Sequence, residues 1–405
     1  MRPESRCALR RALMRASIRG LRRARLSLLL SMVPVSMALL VGCGEAPQPA
    51  PFDRTASAAD APLPETLAEL GALRREGAVL VPVDGVAYAL GHPLFSDYAD
   101  KYRTLHLPAG AAASRADSGA DDGTTLQFPV GTLITKTFHY SQVPLAPQGA
   151  SAAGTFSGAD AALALTGQRL VETRVLLHRK TGWDAVSYLW NDAGTEARRV
   201  RAGALLALET PSARGGGGSF DYLVPDANQC AACHATDHGD GTLRPIGPKP
   251  ANLAAVAVSA GDGQRSDQYA LLRSRGLVRD AAPVTPWPHS GSAAARAYLD
   301  ANCAHCHSDT GAADTAGLDL RYGAPLSAVG LCKSPVAAGR GSGGLARDIW
   351  PGRPDASILL YRMDHRDPGV MMPELGRSLI HAEGVALIRD WIAGIEGDCD
   401  EGSLL

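Results

Sequence analysis

Two short strings, Cys230–His234 (CAACH) and Cys303–His307 (CAHCH), constrain this chain more than anything else in it. Both have the form CxxCH. At that spacing two thiols can each bond one vinyl group of a single porphyrin, and the following His is held under the iron. A zinc knuckle or a redox-active CxxC pair would use some of the same residues. Neither requires His directly after the second Cys, twice. The pattern therefore predicts two covalently bound haem c groups. Their attachment residues are Cys230, Cys233, Cys303 and Cys306, and their proximal iron ligands are His234 and His307.

The start of the chain reads as an export signal. Residues 1–25 carry nine Arg and one acidic residue, Glu4, and residues 26–41 carry no charge. That run is shorter than the ~20 apolar residues of a spanning helix but suits a signal-peptide core. It ends in LVGC at Cys43, which resembles the bacterial lipobox. On this reading residues 1–42 are removed, and lipid on Cys43 anchors the mature protein to the periplasmic face of a bacterial membrane. Gly44, in place of an Asp that favours inner-membrane retention, tilts the expectation towards the outer membrane.

Cysteine use agrees with an oxidising compartment. Of eight Cys, Cys7 leaves with the signal, Cys43 takes lipid and four take haem. Cys332 and Cys399 remain, and a disulfide between them is expected, with two buried free thiols as the alternative. Charge shifts with processing too. The chain has 40 basic and 41 acidic residues, and loss of nine Arg and one Glu leaves 31 against 40, a net charge of −9. An acidic mature protein argues against nucleic-acid binding and for a basic docking patch on a redox partner protein.

The fold class expected is α+β and multidomain. Residues 43–62, with Pro47, Pro49 and Pro51, read as a flexible tether. Residues 63–225 read as an antiparallel β-sandwich-like domain, with a short helix over 64–75 and strands near 78–83, 102–107, 126–140, 169–178, 186–190 and 205–209. Stretches at 109–124, 147–160 and 211–219 read as loops. Residues 226–291 form a first haem-binding segment, with one helix near 266–277. Residues 292–396 are expected to be a mainly α cytochrome c-like domain holding the second haem, followed by a tail over 397–405. Its first helix, 292–302, and its last, 382–394, are expected to cross with Tyr298 against Trp391.

A second axial ligand distinguishes the two sites. Met favours Fe(II) and raises the potential. Only Met363, Met371 and Met372 survive processing, and all follow the second motif. Met372, 65 residues after His307 and stiffened by Pro373, is the expected distal ligand, with Met371 as the alternative and Met363 after it. No Met lies near the first motif. Its candidates are His238, His289 and His139, a residue from another domain, or an open site, so the two haems are expected to be unequal.

The strings HPLFSDYA (92–99), FPVGTLITKTF (128–138), NQCAACH (228–234), PIGPK (245–249), NCAHCH (302–307), AGRGSGG (338–344) and VMMPELGR (370–377) together give the chain a family likeness. It resembles a family of bacterial di-haem c-type cytochromes often encoded beside a parallel β-helix repeat protein. The resemblance runs from about residue 92 to 391. It implies covalent haem and electron transfer without naming a substrate. The function expected is a membrane-anchored periplasmic electron carrier rather than a catalyst, with no catalytic residues assigned. A di-haem peroxidase-like enzyme and the haem subunit of a periplasmic dehydrogenase are the alternatives.

Overall fold

Alternating apolar and polar side chains build a broad sheet in the first half of the chain. The computed structural model describes residues 52–53, 61–115, 125–142, 161–210, 218–259, 265–279, 282–336 and 338–399. The expected signal peptide, Cys43, most of the expected tether and the end of the expected tail lie outside these residues. The central sheet has six antiparallel strands: β3 (Val86–Tyr88), β4 (Asp100–His106), β6 (Leu133–Ser141), β8 (Gln168–Arg179), β9 (Gly182–Trp190) and β10 (Ala197–Val200). Their spatial order is β10-β9-β8-β6-β4-β3.

Period-2 alternation gives this sheet two different faces. On one, Tyr102, Leu133, Val175, Leu177 and Tyr188 pack against α1 (Leu67–Leu70) and the hairpin of β1 (Leu73–Glu76) and β2 (Val79–Pro82). Directly opposed Thr pairs brace the same face: Thr104 bonds Thr135 at 2.6 Å, and Thr137 bonds Thr173 at 2.8 Å. On the other face Leu105 and Ile134 pack with α3 (Pro250–Ala254) and α4 (Gln268–Ser274). Phe138 packs there with the hairpin of β11 (Ala204–Thr210) and β12 (Gly218–Val224). Between those apolar groups β6 presents Lys136.

Five short strands complete the small sheets. β7 (Leu163–Ala164) extends the β1–β2 hairpin, and β13 (Ala257–Ser259) pairs with β14 (Arg265–Asp267). β5 (Ala113–Ser114) runs parallel to β15 (Val278–Arg279), joining the first half of the chain to the first motif's segment.

Several expectations need correction. The helix expected over 64–75 is only four residues long. Thr66 and Glu69 form a capping box at its start, and Gly71 ends it at φ 67°, after which the chain enters β1. The β half is one broad sheet with small satellites, not two comparable sheets face to face. The mainly α cytochrome c-like domain expected over 292–396 does not form. That stretch holds α5 (Gly291–Asn302), α6 (Ile358–Met363) and α7 (Ala382–Ala393), separated by irregular chain and four 3-10 turns. The physical reason lies in its glycines: Gly317, Gly330, Gly339, Gly343, Gly344 and Gly352 all adopt positive φ, which stops helix propagation. Antiparallel sheet, not helix, is the dominant architecture.

α5 and α7 do pack together, around Leu299, Ile388 and Ile392. Tyr298 meets His381, with its hydroxyl 3.0 Å from Nδ1 and the ring centroids 5.5 Å apart, and packs against the apolar cluster that contains Trp391. The described residues belong to one compact unit. Buried polar contacts tie its parts together. Asn252 bonds the backbone of His92 in both directions, and Asn302 accepts from the Phe95 N–H at 2.8 Å. The Asp97 carboxylate accepts from the backbone N–H groups of Ser378 and Leu379, each at 2.7 Å.

Candidate functional site

The first motif lies on α2 (Ala227–His234). Asp226 starts this helix through a capping box with Gln229. Cys230 and Cys233 are one helical turn apart, so both thiols emerge on one side. His234 ends the helix, and its Nδ1 lies 2.8 Å from the carbonyl oxygen of Arg244. A carbonyl can only accept, so Nδ1 carries the proton and Nε2 keeps its lone pair. That is the tautomer a proximal iron ligand needs. Burial, the largest influence, pushes the His234 ring down to about 4, which keeps it neutral.

The second motif follows α5, and Cys303 caps that helix through its N–H to the Leu299 oxygen at 2.8 Å. The chain then turns tightly, with the His307 N–H on the Cys303 oxygen at 2.9 Å. Gly311 is required here, because a Cβ at that position would stand 2.2 Å from the Cys306 carbonyl oxygen. The His307 Nδ1 is buried and has no hydrogen-bond partner among the described residues. Burial, then the Arg362 charge, lowers this ring to about 4.

Burial raises all four motif thiols, Cys303 to about 12 and Cys306 to about 11. Among the described residues no three His, Cys, Asp or Glu side chains converge as a metal-binding group.

The two motifs are adjacent in space. The Cys306 Sγ lies 3.7 Å from the Ala232 carbonyl oxygen. The His238 N–H donates to the Thr310 oxygen at 2.9 Å, and Thr310 Oγ1 donates to the Thr236 oxygen at 3.2 Å.

A cavity of about 880 Å³, counting its open mouth, lies beside the first motif. Cys230 and His234 form one part of its wall, and Arg103, Ile134, Lys136, Arg174 and Leu176 of the central sheet form another. Lys249, also in the wall, is ion-paired to the fully buried Asp300 at 2.5 Å. Burial, then the Arg174 and Arg103 charges, pushes the Lys136 ammonium down to about 7.

None of the three histidines expected near the first haem lines this cavity. His238 bonds the Gly311 oxygen at 3.0 Å, His289 the Ala255 oxygen at 2.9 Å, and His139 the Gln168 side chain at 2.8 Å. His92 does line it, and its Nε2 is engaged by the Pro288 oxygen at 2.9 Å. The wall cations had a sequence signal: alternation along β6 puts Lys136 on the same face as Ile134 and Phe138.

Around the second motif, the loop after α6 carries Met371 and Met372. The Met372 N–H bonds the Arg362 oxygen at 3.0 Å, and its own carbonyl accepts from Arg377 Nε and Nη2 at 3.1 and 2.8 Å. The Glu374 charge acts on Cys306 and the Arg377 charge on Cys303, so this loop borders the motif. Met371 is buried and Met372 half-buried. Met363 belongs to the apolar core beside Leu360 and Ile388. Cys332 and Cys399 form a disulfide. No helix among the described residues is long and apolar enough to cross a membrane.

No protein-family model, no curated protein and no solved structure matches this chain.

Proposed function

We propose that the protein is an exported di-haem c-type cytochrome that carries electrons at a membrane surface. The observation that carries this reading is the contact between the two CxxCH strings, 73 residues apart in sequence and touching at Cys306 and Ala232. When bound, each haem supplies an iron that cycles between Fe(III) and Fe(II), one electron at a time. The polypeptide does the rest. Cys230, Cys233, Cys303 and Cys306 would hold the porphyrins, and His234 and His307 would each bind an iron. Met372 would supply a second ligand at the second site, with Met371 the alternative on the same loop. Placing both sites side by side shortens the path between them, which a carrier passing electrons in sequence requires.

Lipid on Cys43 would keep this carrier at a membrane, and the acidic mature chain suits a redox partner with a basic face. The test is mass spectrometry of the mature protein. A gain of two porphyrins is expected. The paired variant Cys230→Ala/Cys233→Ala should lose one, and Cys303→Ala/Cys306→Ala the other. A mature protein without covalent porphyrin ends this reading. Labelling with a radioactive fatty acid, abolished by Cys43→Ser, checks the anchor.

A further inference from the structure

Three cations stand side by side across the wall of the first cavity. Arg103 on β4 is directly opposite Lys136 on β6, and Lys136 is directly opposite Arg174 on β8. Like charges opposed in this way repel. Two of the three have partners. Arg174 is paired with Glu172 at 2.6 Å, and Tyr222 holds that carboxylate at 2.7 Å. Arg103 donates to the Lys101 oxygen at 3.3 Å. Lys136 has neither a hydrogen bond nor an ion pair among the described residues, although it lies 5.2 Å from the centre of the Phe138 ring.

The row has a direction. The Arg174 charge acts on both Cys230 and Cys233, and the Lys136 charge on Cys233. It therefore begins beside the thiols and runs away from them. With strands ~4.8 Å apart, Lys136 sits one spacing beyond Arg174, about half the width of a porphyrin, and Arg103 one spacing further. Lys136 lines the same cavity as Cys230 and His234. The alternative donor in the wall, His92, already has Nε2 on a backbone oxygen.

We infer that Lys136 supplies the sixth ligand of the first haem, opposite His234. This rests on the di-haem reading above and deepens it. On binding, the ammonium releases one proton to solvent, and the nitrogen lone pair forms the bond to iron. The first haem is then ligated by imidazole and amine, the second by imidazole and thioether.

The test uses the mature holoprotein, with its porphyrins counted by mass beforehand. In the wild type both ferric haems should be low-spin, and the ferrous protein should bind no carbon monoxide. Lys136→Ala should turn one haem of the two high-spin and let it bind one carbon monoxide per chain. Lys136→His should keep that haem low-spin and move its near-infrared charge-transfer band to the bis-imidazole position, which separates lost ligation from lost folding. Spectra indifferent to Lys136→Ala, carbon monoxide binding by the wild type, or opening of the first haem by His92→Ala in place of Lys136→Ala would each overturn the assignment. A protein with no covalent porphyrin overturns the di-haem reading and this assignment together. Two porphyrins with a spin state independent of Lys136 overturn the assignment alone.

Discussion

The sulfur of Cys306 rests 3.7 Å from the main-chain oxygen of Ala232, so a thiol of the second motif touches the helix of the first. Around that contact His238, Thr236, Thr310 and Gly311 exchange hydrogen bonds. Neither motif has a separate enclosing domain. The first borrows the face of the central sheet, and the second borrows the loop carrying Met371 and Met372.

That loop gives the first prediction. Met371 is buried, and truncating a buried Met typically costs 2–5 kcal/mol. Met371→Ala should therefore lower stability by about 3 kcal/mol in urea unfolding. Met372→Ala, at a half-buried position, should cost less and should remove the spectral signature of a sulfur–iron bond. The opposite assignment of the two effects would make Met371 the ligand.

The disulfide between Cys332 and Cys399 closes a loop with a sequence separation of 67. Loop-closure entropy for that length is worth about 4 kcal/mol. Cys332→Ser/Cys399→Ser should lower the unfolding free energy by roughly that amount, and reductant should have no further effect on the variant. Equilibrium denaturation with and without reductant measures both.

Acid should destabilise the fold through two histidines outside the proposed iron ligands. Burial, the largest influence in each case, holds His92 and His381 down at about 4. His381 is stacked on Phe95 at 4.3 Å and His92 on His289 at 5.1 Å. A depressed folded value means that the unfolded chain binds more protons at moderately acid pH. Stability contributed by these rings is therefore complete above about pH 7 and is lost as pH falls from about 6.5 towards 4. Urea midpoints across that range should fall with acidification. The double variant His92→Gln/His381→Gln should show a shallower slope.

Gly384 lies inside α7, where replacing Gly by Ala normally stabilises a helix by about 1 kcal/mol. A Cβ at this position would stand 2.3 Å from the Tyr298 hydroxyl and 2.7 Å from the His381 Nδ1. Gly384→Ala should thus lower the melting temperature despite the propensity gain. Gly384→Ala combined with Tyr298→Phe should recover part of the loss, because the nearest clashing atom is gone.

Local pattern was legible in the sequence wherever a short-range rule set the structure. Strands expected at 169–178 and 205–209 lie within Gln168–Arg179 and Ala204–Thr210, because β-branched and apolar alternation extends along them. The helix expected over 382–394 forms as Ala382–Ala393, with Val385, Ile388 and Trp391 buried on one face. The helix over 64–75 failed at Gly71, where a left-handed residue outweighed the apolar spacing. Between 303 and 357 the same effect recurs at several glycines, and a helical domain read from its two end helices was an overextension.

By itself, the sequence determined the spacing of each thiol pair and its histidine, and the face of β6 on which Lys136 lies. Both are covalent or period-2 properties, complete within a few residues. Only the tertiary structure decided that the motifs touch, that Asp97 anchors the chain after Met372, and that Lys136 lines a cavity with neither a hydrogen bond nor an ion pair among the described residues. Those facts depend on what packs against each face, and burial, desolvation and pairing are set by residues tens to hundreds of positions away.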